Sequence, residues 1–259
     1  MQQFWRGECA MAGLMRTSNP VLNEKRFEGF STFDRGMTLQ GTVNKTGVLL
    51  LCSIATAAWT WNLFNQSHSA AAVMPYLWIG SIGGFVCALV TTFKKEWAAV
   101  TAPAYALLEG LALGSISSIL ELRFPGIAIE SVSLTFGTLL VLLLAYRSGL
   151  IPVTQKFRLG IVAATGAVML FYLLQFALGF FGVHFSSING SGAIGIGFSL
   201  IVVGIAALNL VLDFDFIENG VRMGAPKYME WYGAFGIMVT LVWLYLEIVR
   251  LLTKLRGRD

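Results

Sequence analysis

The sequence predicts an all-α polytopic membrane protein with seven transmembrane helices. Three observations lead there. Hydrophobic residues make up 56% of the 259 positions and charged residues only 12%, against roughly 25% charged in a soluble domain. The apolar residues gather in seven runs, at about 46–64, 73–93, 99–120, 129–150, 159–182, 193–214 and 231–252. Each run is long enough to cross a hydrocarbon core of ~30 Å at ~1.5 Å per residue. No ~10-residue segments of alternating polarity appear, so barrel strands are not expected. Helices satisfy their backbone polar groups within the segment, as lipid requires.

Residues 1–45 are polar and carry Arg6, Arg16, Lys25, Arg26, Arg35 and Lys45. They read as a largely flexible cytoplasmic segment, with Met15 a conceivable second start. The first apolar run begins too far along for an ordinary cleaved signal peptide. Residues 46–255 form the membrane domain, and 256–259 a basic tail. No internal repeat or second domain is visible.

Loop charges set the expected orientation. Six Lys or Arg precede the first span, none lies in 65–72, two lie in 94–97 and one in 121–126. Arg147, Lys156 and Arg158 flank the next connection, 182–192 has none, and Arg222 and Lys227 follow the sixth span. Cytoplasmic loops are the ones enriched in Lys and Arg, so the N terminus is expected on the cytoplasmic side. The C terminus breaks this pattern, because Arg250, Lys254, Arg256 and Arg258 would lie outside after seven crossings. Either the last helix crosses despite its charges or it turns back. Crossing is preferred, since the run is long enough and has no central helix breaker.

Several function classes drop out. The net charge of +4 is spread over short inter-span segments, which fits an anionic membrane surface and not nucleic acid. Cys9, Cys52 and Cys87 form no CxxC pair, and His68 and His184 are far apart, so no metal framework or catalytic triad is indicated. "GSGAIG" (190–195) matches a dinucleotide fingerprint in letters only. That motif needs a preceding strand in a βαβ unit, and its flanks here are membrane spans. No cofactor and no enzymatic activity are expected.

The remaining signals are polar residues inside spans. Glu109 lies near the middle of the third run, where a charge costs ~2.5–3.5 kcal/mol on insertion scales. It is either a protonated acid bonded to a neighbouring helix or a group that handles ions or protons. "NLVLDFDFIENG" (209–220) puts Asp213, Asp215 and Glu218 at the end of the sixth run, with Asp213 about one turn from the cytoplasmic end. Asp213 and Asp215 point ~200° apart on a helix, so a two-carboxylate site needs a partner from another helix. Such a site would take a hard cation through oxygen, and two close carboxylates would share a proton. The plainer reading is an interfacial cluster paired to Arg222 or Lys227. Glu247 and Arg250 are spaced to pair on one face. Gln175 and Asn209 are expected to hydrogen-bond between helices. Gly80 with Gly84, and Gly110 with Gly114, are spaced for close helix approach.

Four stretches together resemble a known family: "APAYALLEGLALGSIS", "RSGLIPVTQKFRLGIVAATG", "GIGFSLIVVGIAALNLVLDFDFIENG" and "APKYMEWYGAFGIMVTLVWLYLEIVRLL". They look like the Bax inhibitor-1 family, also called transmembrane Bax inhibitor motif proteins. The bacterial branch is the nearest in kind, and its N terminus resembles "SNPVLNE". The resemblance runs from about Met15 to Leu255. It implies a seven-helix fold with the last helix central and six others around it, in a bacterial inner membrane. It also implies a pH-sensitive calcium leak, with calcium as the transported ion and protons as the signal. A carboxylate pair, one in the sixth span and one in the seventh, is thought to act as sensor and latch. The first lands on Asp213, beside Asp215. The second position is occupied here by Thr240, so the usual pair is incomplete. The replacement partner is sought among Glu109, Glu230, Glu247 and Asp215, with Thr240 and Asn209 as hydrogen-bonding neighbours. Asp213 with Glu109 is the preferred pair and the tentative calcium site. The alternative function is a non-transporting regulator of protein quality control or stress survival, acting through other membrane proteins.

Overall fold

A computed structural model describes residues 36–182 and 186–257. The expectation of a flexible segment falls mostly on residues 1–35, outside the described residues. Eight α-helices and no strand occur among the described residues. α1 spans Leu39–Ser67, α2 Ala70–Phe93, α3 Ala98–Arg123, α4 Ile127–Arg147, α5 Gln155–Gly179, α6 Ser186–Asn189, α7 Ala193–Arg222 and α8 Met229–Arg256. All but the short α6 are long and apolar enough to cross a membrane.

Two helix boundaries differ from those drawn by hydropathy. Leu39–Lys45, assigned from sequence to the N-terminal segment, are already helical. Thr38 explains the early start: its hydroxyl accepts from the Gly41 N–H at 3.0 Å, capping an otherwise unpaired donor. The second difference concerns α7. Its apolar run ends near residue 214, but the helix continues to Arg222, so ~13 Å of helix follows Asp213. Asp213 is therefore not one turn from the helix end. The extension is amphipathic. Leu210, Phe214, Ile217 and Gly220 are buried at helical spacing, while Asp215 and Glu218 turn away and meet Arg158, Tyr146 and Arg222. Hydropathy fades at 214 because one face becomes polar; the buried face persists. Gly224, at φ +65°, then supplies the left-handed residue that starts the turn into α8.

α8 is the central helix. It carries the longest row of buried residues and packs against α1, α3, α4 and α7. α2 packs instead on α3 and α1, and α5 mainly on α7, so four helices, not six, directly line most of α8. Small residues explain the layering. A Cβ on Gly110 or Gly114 would overlap α1 at Ser53, Thr56, Ala57 and Thr60, and one on Gly80 would overlap the α3 backbone at Leu108. Two faces of α3 thus take α1 and α2 at backbone contact, as the glycine spacing predicts. The Thr56 hydroxyl adds a bond across that contact, donating to the Leu107 carbonyl at 2.9 Å. Large apolar side chains such as Trp78, Phe85, Val100, Leu170 and Phe176 point outward instead.

The last helix crosses the bundle. At its start, Glu230 meets Thr38 and Lys45 beside the α1 N terminus. At its end, Arg256 donates to the Pro125 carbonyl at 2.6 Å and pairs with Glu130 at 2.6 Å, at the α3–α4 turn on the opposite side. Lys254, buried beside it, donates to the carbonyls of Ile188 and Gly195 and to the Ser199 hydroxyl at 2.7–3.0 Å. Arg250 pairs with Glu247 at 3.1 Å. Arg250, Lys254 and Arg256 are thus held locally by acids and carbonyls, which reduces their weight as topology signals; Arg258 lies outside the described residues.

Candidate functional site

Asp213 lies on the α7 face that packs against α8. Gly236 of α8 stands opposite: a Cβ there would sit 3.9 Å from Asp213 Oδ1, an ordinary van der Waals contact. One helical turn further on, Thr240 stands on the same side, with its hydroxyl toward the Asp213 carboxyl. The other oxygen, Oδ2, is shielded and has no partner; it is the one such buried side-chain atom among the described residues. The α7–α8 contact at this level belongs to the main apolar cluster, which includes Leu210, Phe214, Ile217, Ile237, Leu241 and Leu244. A polar atom enclosed by hydrocarbon without a hydrogen bond costs on the order of 1–3 kcal/mol in proteins. The site therefore favours whatever supplies a proton, a water or a cation.

Neither basic residue weighed as a neutralising partner reaches Asp213. Arg222 pairs with Glu218 at 2.5 Å and Lys227 with Glu230 at 2.6 Å. Asp215 points the other way and pairs with Arg158 at the start of α5, as the ~200° separation requires. Asn209, one turn before Asp213, donates to Thr165 of α5 at 2.8 Å and to its own helix at Ile205. Gln175 makes no such inter-helix bond among the described residues; it lies on α5, which touches few neighbours.

Glu109 is placed elsewhere. A Cβ on Gly84 of α2 would come within 2.9 Å of its Oε1, so its carboxyl fills the gap that Gly84 leaves between α2 and α3. Tyr105, one turn earlier, is its electrostatic neighbour. No hydrogen bond or ion pair joins Glu109 to Asp213 among the described residues; the two carboxylates are set against different helices. The other candidates are also committed. Glu230 is fully buried and takes the Lys45 and Lys227 ammoniums, the Thr38 hydroxyl at 2.7 Å and the Thr38 N–H at 2.9 Å. Glu247 accepts from Tyr172 at 2.9 Å and from Arg250. Of the residues proposed to face Asp213, only Thr240 does so.

Three functional contacts escape a reading of the sequence. Lys45 reaches Glu230 from 185 positions away, Tyr146 donates to Glu218 at 2.5 Å, and Tyr172 bridges Glu247 and Arg250. Nothing local marks those partners, although Lys227 and Glu230 have a helical i, i+3 spacing.

The described residues contain no group of three or more His, Cys, Asp or Glu that could hold a metal. Asp213 and Thr240 together offer few of the six to eight oxygens that a resident calcium takes; water would have to supply the rest.

No curated protein and no solved structure matches the chain significantly. The Bax inhibitor 1 like family model, by contrast, matches residues 19–257. That match takes in all seven long helices, the Asp213 site on α7 and its Thr240 neighbour on α8. The chain belongs to the Bax inhibitor 1 like family.

Proposed function

We propose that this protein is a pH-sensitive leak for calcium across a bacterial cell membrane, with its N terminus on the cytoplasmic side. The observation that carries the reading is Asp213: an acid on α7, enclosed by the apolar α7–α8 contact, with one carboxylate oxygen lacking any partner. Such a group is poised to exchange protons, and its two protonation states differ sharply in how well they tolerate an apolar surround. With the proton on, the α7–α8 contact around Gly236 and Thr240 stays packed. With the proton off, the charge draws in water or a cation, and the packing between the two helices loosens. Thr240 holds one oxygen in place throughout. Calcium is the cargo, bound through oxygen and still partly hydrated. Family membership supports the reading, because the resemblance implies this activity and a sensor carboxylate at the position that Asp213 occupies.

The test uses purified protein in liposomes loaded with a calcium dye. Flux is measured between about pH 5 and pH 8, where shifted carboxylates titrate. The expected result is a calcium leak whose rate depends on pH, and a flat response in Asp213→Asn. Absence of flux across that range would overturn the leak and leave the protein as a regulator acting through membrane partners. A flux that persists unchanged in Asp213→Asn would move the sensor to another group.

A further inference from the structure

Met37 lies ahead of the first helix, in the chain that hydropathy gives to the N-terminal segment, yet only 3% of it is exposed. It belongs to the main apolar cluster. Every other buried member of that cluster comes from α7 or α8, with Leu210, Phe214 and Ile217 on the first and Ile237 and Leu241 on the second. A residue from outside these two helices thus completes the seam between them.

Two glycines form its seat. A Cβ on Gly220 of α7 would come within 3.0 Å of the Met37 sulfur, and one on Gly233 of α8 within 3.4 Å of its terminal methyl. The same Cβ on Gly233 would meet Ile217 at 3.0 Å, so Met37 and Ile217 share this layer. Helical register then gives the level. Ile217 and Gly220 lie about one and two turns past Asp213, and Gly233 lies about one turn before Gly236, which faces Asp213. Met37 is therefore level with Gly220, ~10 Å of helix beyond Asp213, at the end of the seam beside the α7–α8 turn.

The hold on Met37 differs from the packing of a span. Its N–H donates to the Ala225 carbonyl at 2.6 Å. Thr38, next in the chain, donates to Glu230 Oε1 through its N–H at 2.9 Å and its hydroxyl at 2.7 Å. Thr38 is exposed, so water can take over its side of those bonds. Glu230 would still keep the Lys45 and Lys227 ammoniums, so release of Thr38 leaves no buried charge unpaired. The methionine side chain is unbranched and flexible, suited to leaving a slot and refilling it.

We propose that Met37 is a removable plug. Seated, it closes the α7–α8 seam on the side of the α7–α8 turn. Withdrawn, it opens a way for water and cations to Asp213 from that side. Its consequence for flux rests on Asp213 being the responsive group of the proposed leak, whereas the plug itself is tested without calcium.

The test is thiol labelling of Asp213→Cys in phosphatidylcholine nanodiscs by a positively charged, membrane-impermeant methanethiosulfonate, with modified positions mapped by peptide mass spectrometry. Met37→Ala empties the seat and should speed labelling at position 213 at least several-fold. Met37→Leu is close in volume and should leave the rate as it is with Met37. Thr38→Val removes one anchoring hydrogen bond while the methionine stays, and should give an intermediate rate. Cys52 and Cys87, half-buried on α1 and α2, should keep their parent rates and so report an intact bundle. If Met37→Ala disturbs those two thiols, Thr38→Val decides. An unchanged rate at position 213 overturns the plug, as does acceleration in both variants that extends equally to Cys52 and Cys87. In dye-loaded liposomes with Asp213 intact, Met37→Ala should also raise calcium flux. Faster labelling with no flux at any pH supports the plug and overturns the leak instead.

Discussion

Glu230 and Asp213 are two acids at the α8 interface, and their surroundings differ in kind. Glu230 has no exposed surface, yet four donors converge on it from α1, the chain before it and the α7–α8 turn. Asp213 has the Thr240 hydroxyl on one side and nothing on the other. A saturated carboxylate ties elements together and resists any change of state, since each lost partner leaves a buried charge uncompensated. An unsaturated one has little to lose when a proton, water or cation arrives. Burial alone does not separate a structural acid from a responsive one; the count of partners does.

Four changes test that contrast, taken from the largest expected effect to the smallest. Glu230→Ala leaves Lys45 and Lys227 facing each other without their acid and should lower stability by about 3–5 kcal/mol, the cost of breaking a buried pair. Thermal unfolding in detergent measures it, and a Tm equal to the parent's would break the contrast. Gly41→Val comes next. Its side chain would run into the Glu230 carboxylate, and overpacking of this kind costs about 1–3 kcal/mol. The same unfolding assay should place it between the other variants. Asp213→Asn removes no ion pair, so its stability should lie within about 1 kcal/mol of the parent, while the pH response of calcium flux disappears. Stability loss as large as that of Glu230→Ala would make Asp213 a structural acid. Glu218→Gln weakens an exposed pair with Arg222 and should cost less than about 1 kcal/mol, with that pair's share falling further as salt is raised.

The bundle was legible in the sequence because lipid imposes a simple rule on composition and length. Each long apolar run became a helix, and the glycines at 80, 84, 110 and 114 mark surfaces where helices meet. The end of α7 was not legible by hydropathy, because its polar residues occupy one face only while Ile217 and Gly220 keep the other buried. The direction of the last helix was blurred by Arg250, Lys254 and Arg256, whose neutralising partners lie on α4, α5 and the segment before α7 as well as on α8 itself. The candidate site was half legible. Asp213 stood out as an acid in a span, and Thr240 as its neighbour followed from the family resemblance. The pairing with Glu109 did not follow, because two residues a hundred positions apart can both lie in spans and still face different helices.

Sequence alone determined that this chain is a seven-span helical membrane protein of a recognisable family, since hydrocarbon thickness and backbone hydrogen bonding leave few alternatives. It also determined that Asp213 and Asp215 diverge, since helical geometry separates positions two apart. Only the tertiary structure decided which acids are neutralised. Lys45 finds Glu230, Arg158 finds Asp215 and Tyr172 finds Glu247 across long stretches of chain. Asp213 is left facing Gly236 and Thr240 of α8, and no ion pair reaches it among the described residues. Partnership of charges is a property of packing, and packing is set by which faces of the helices meet.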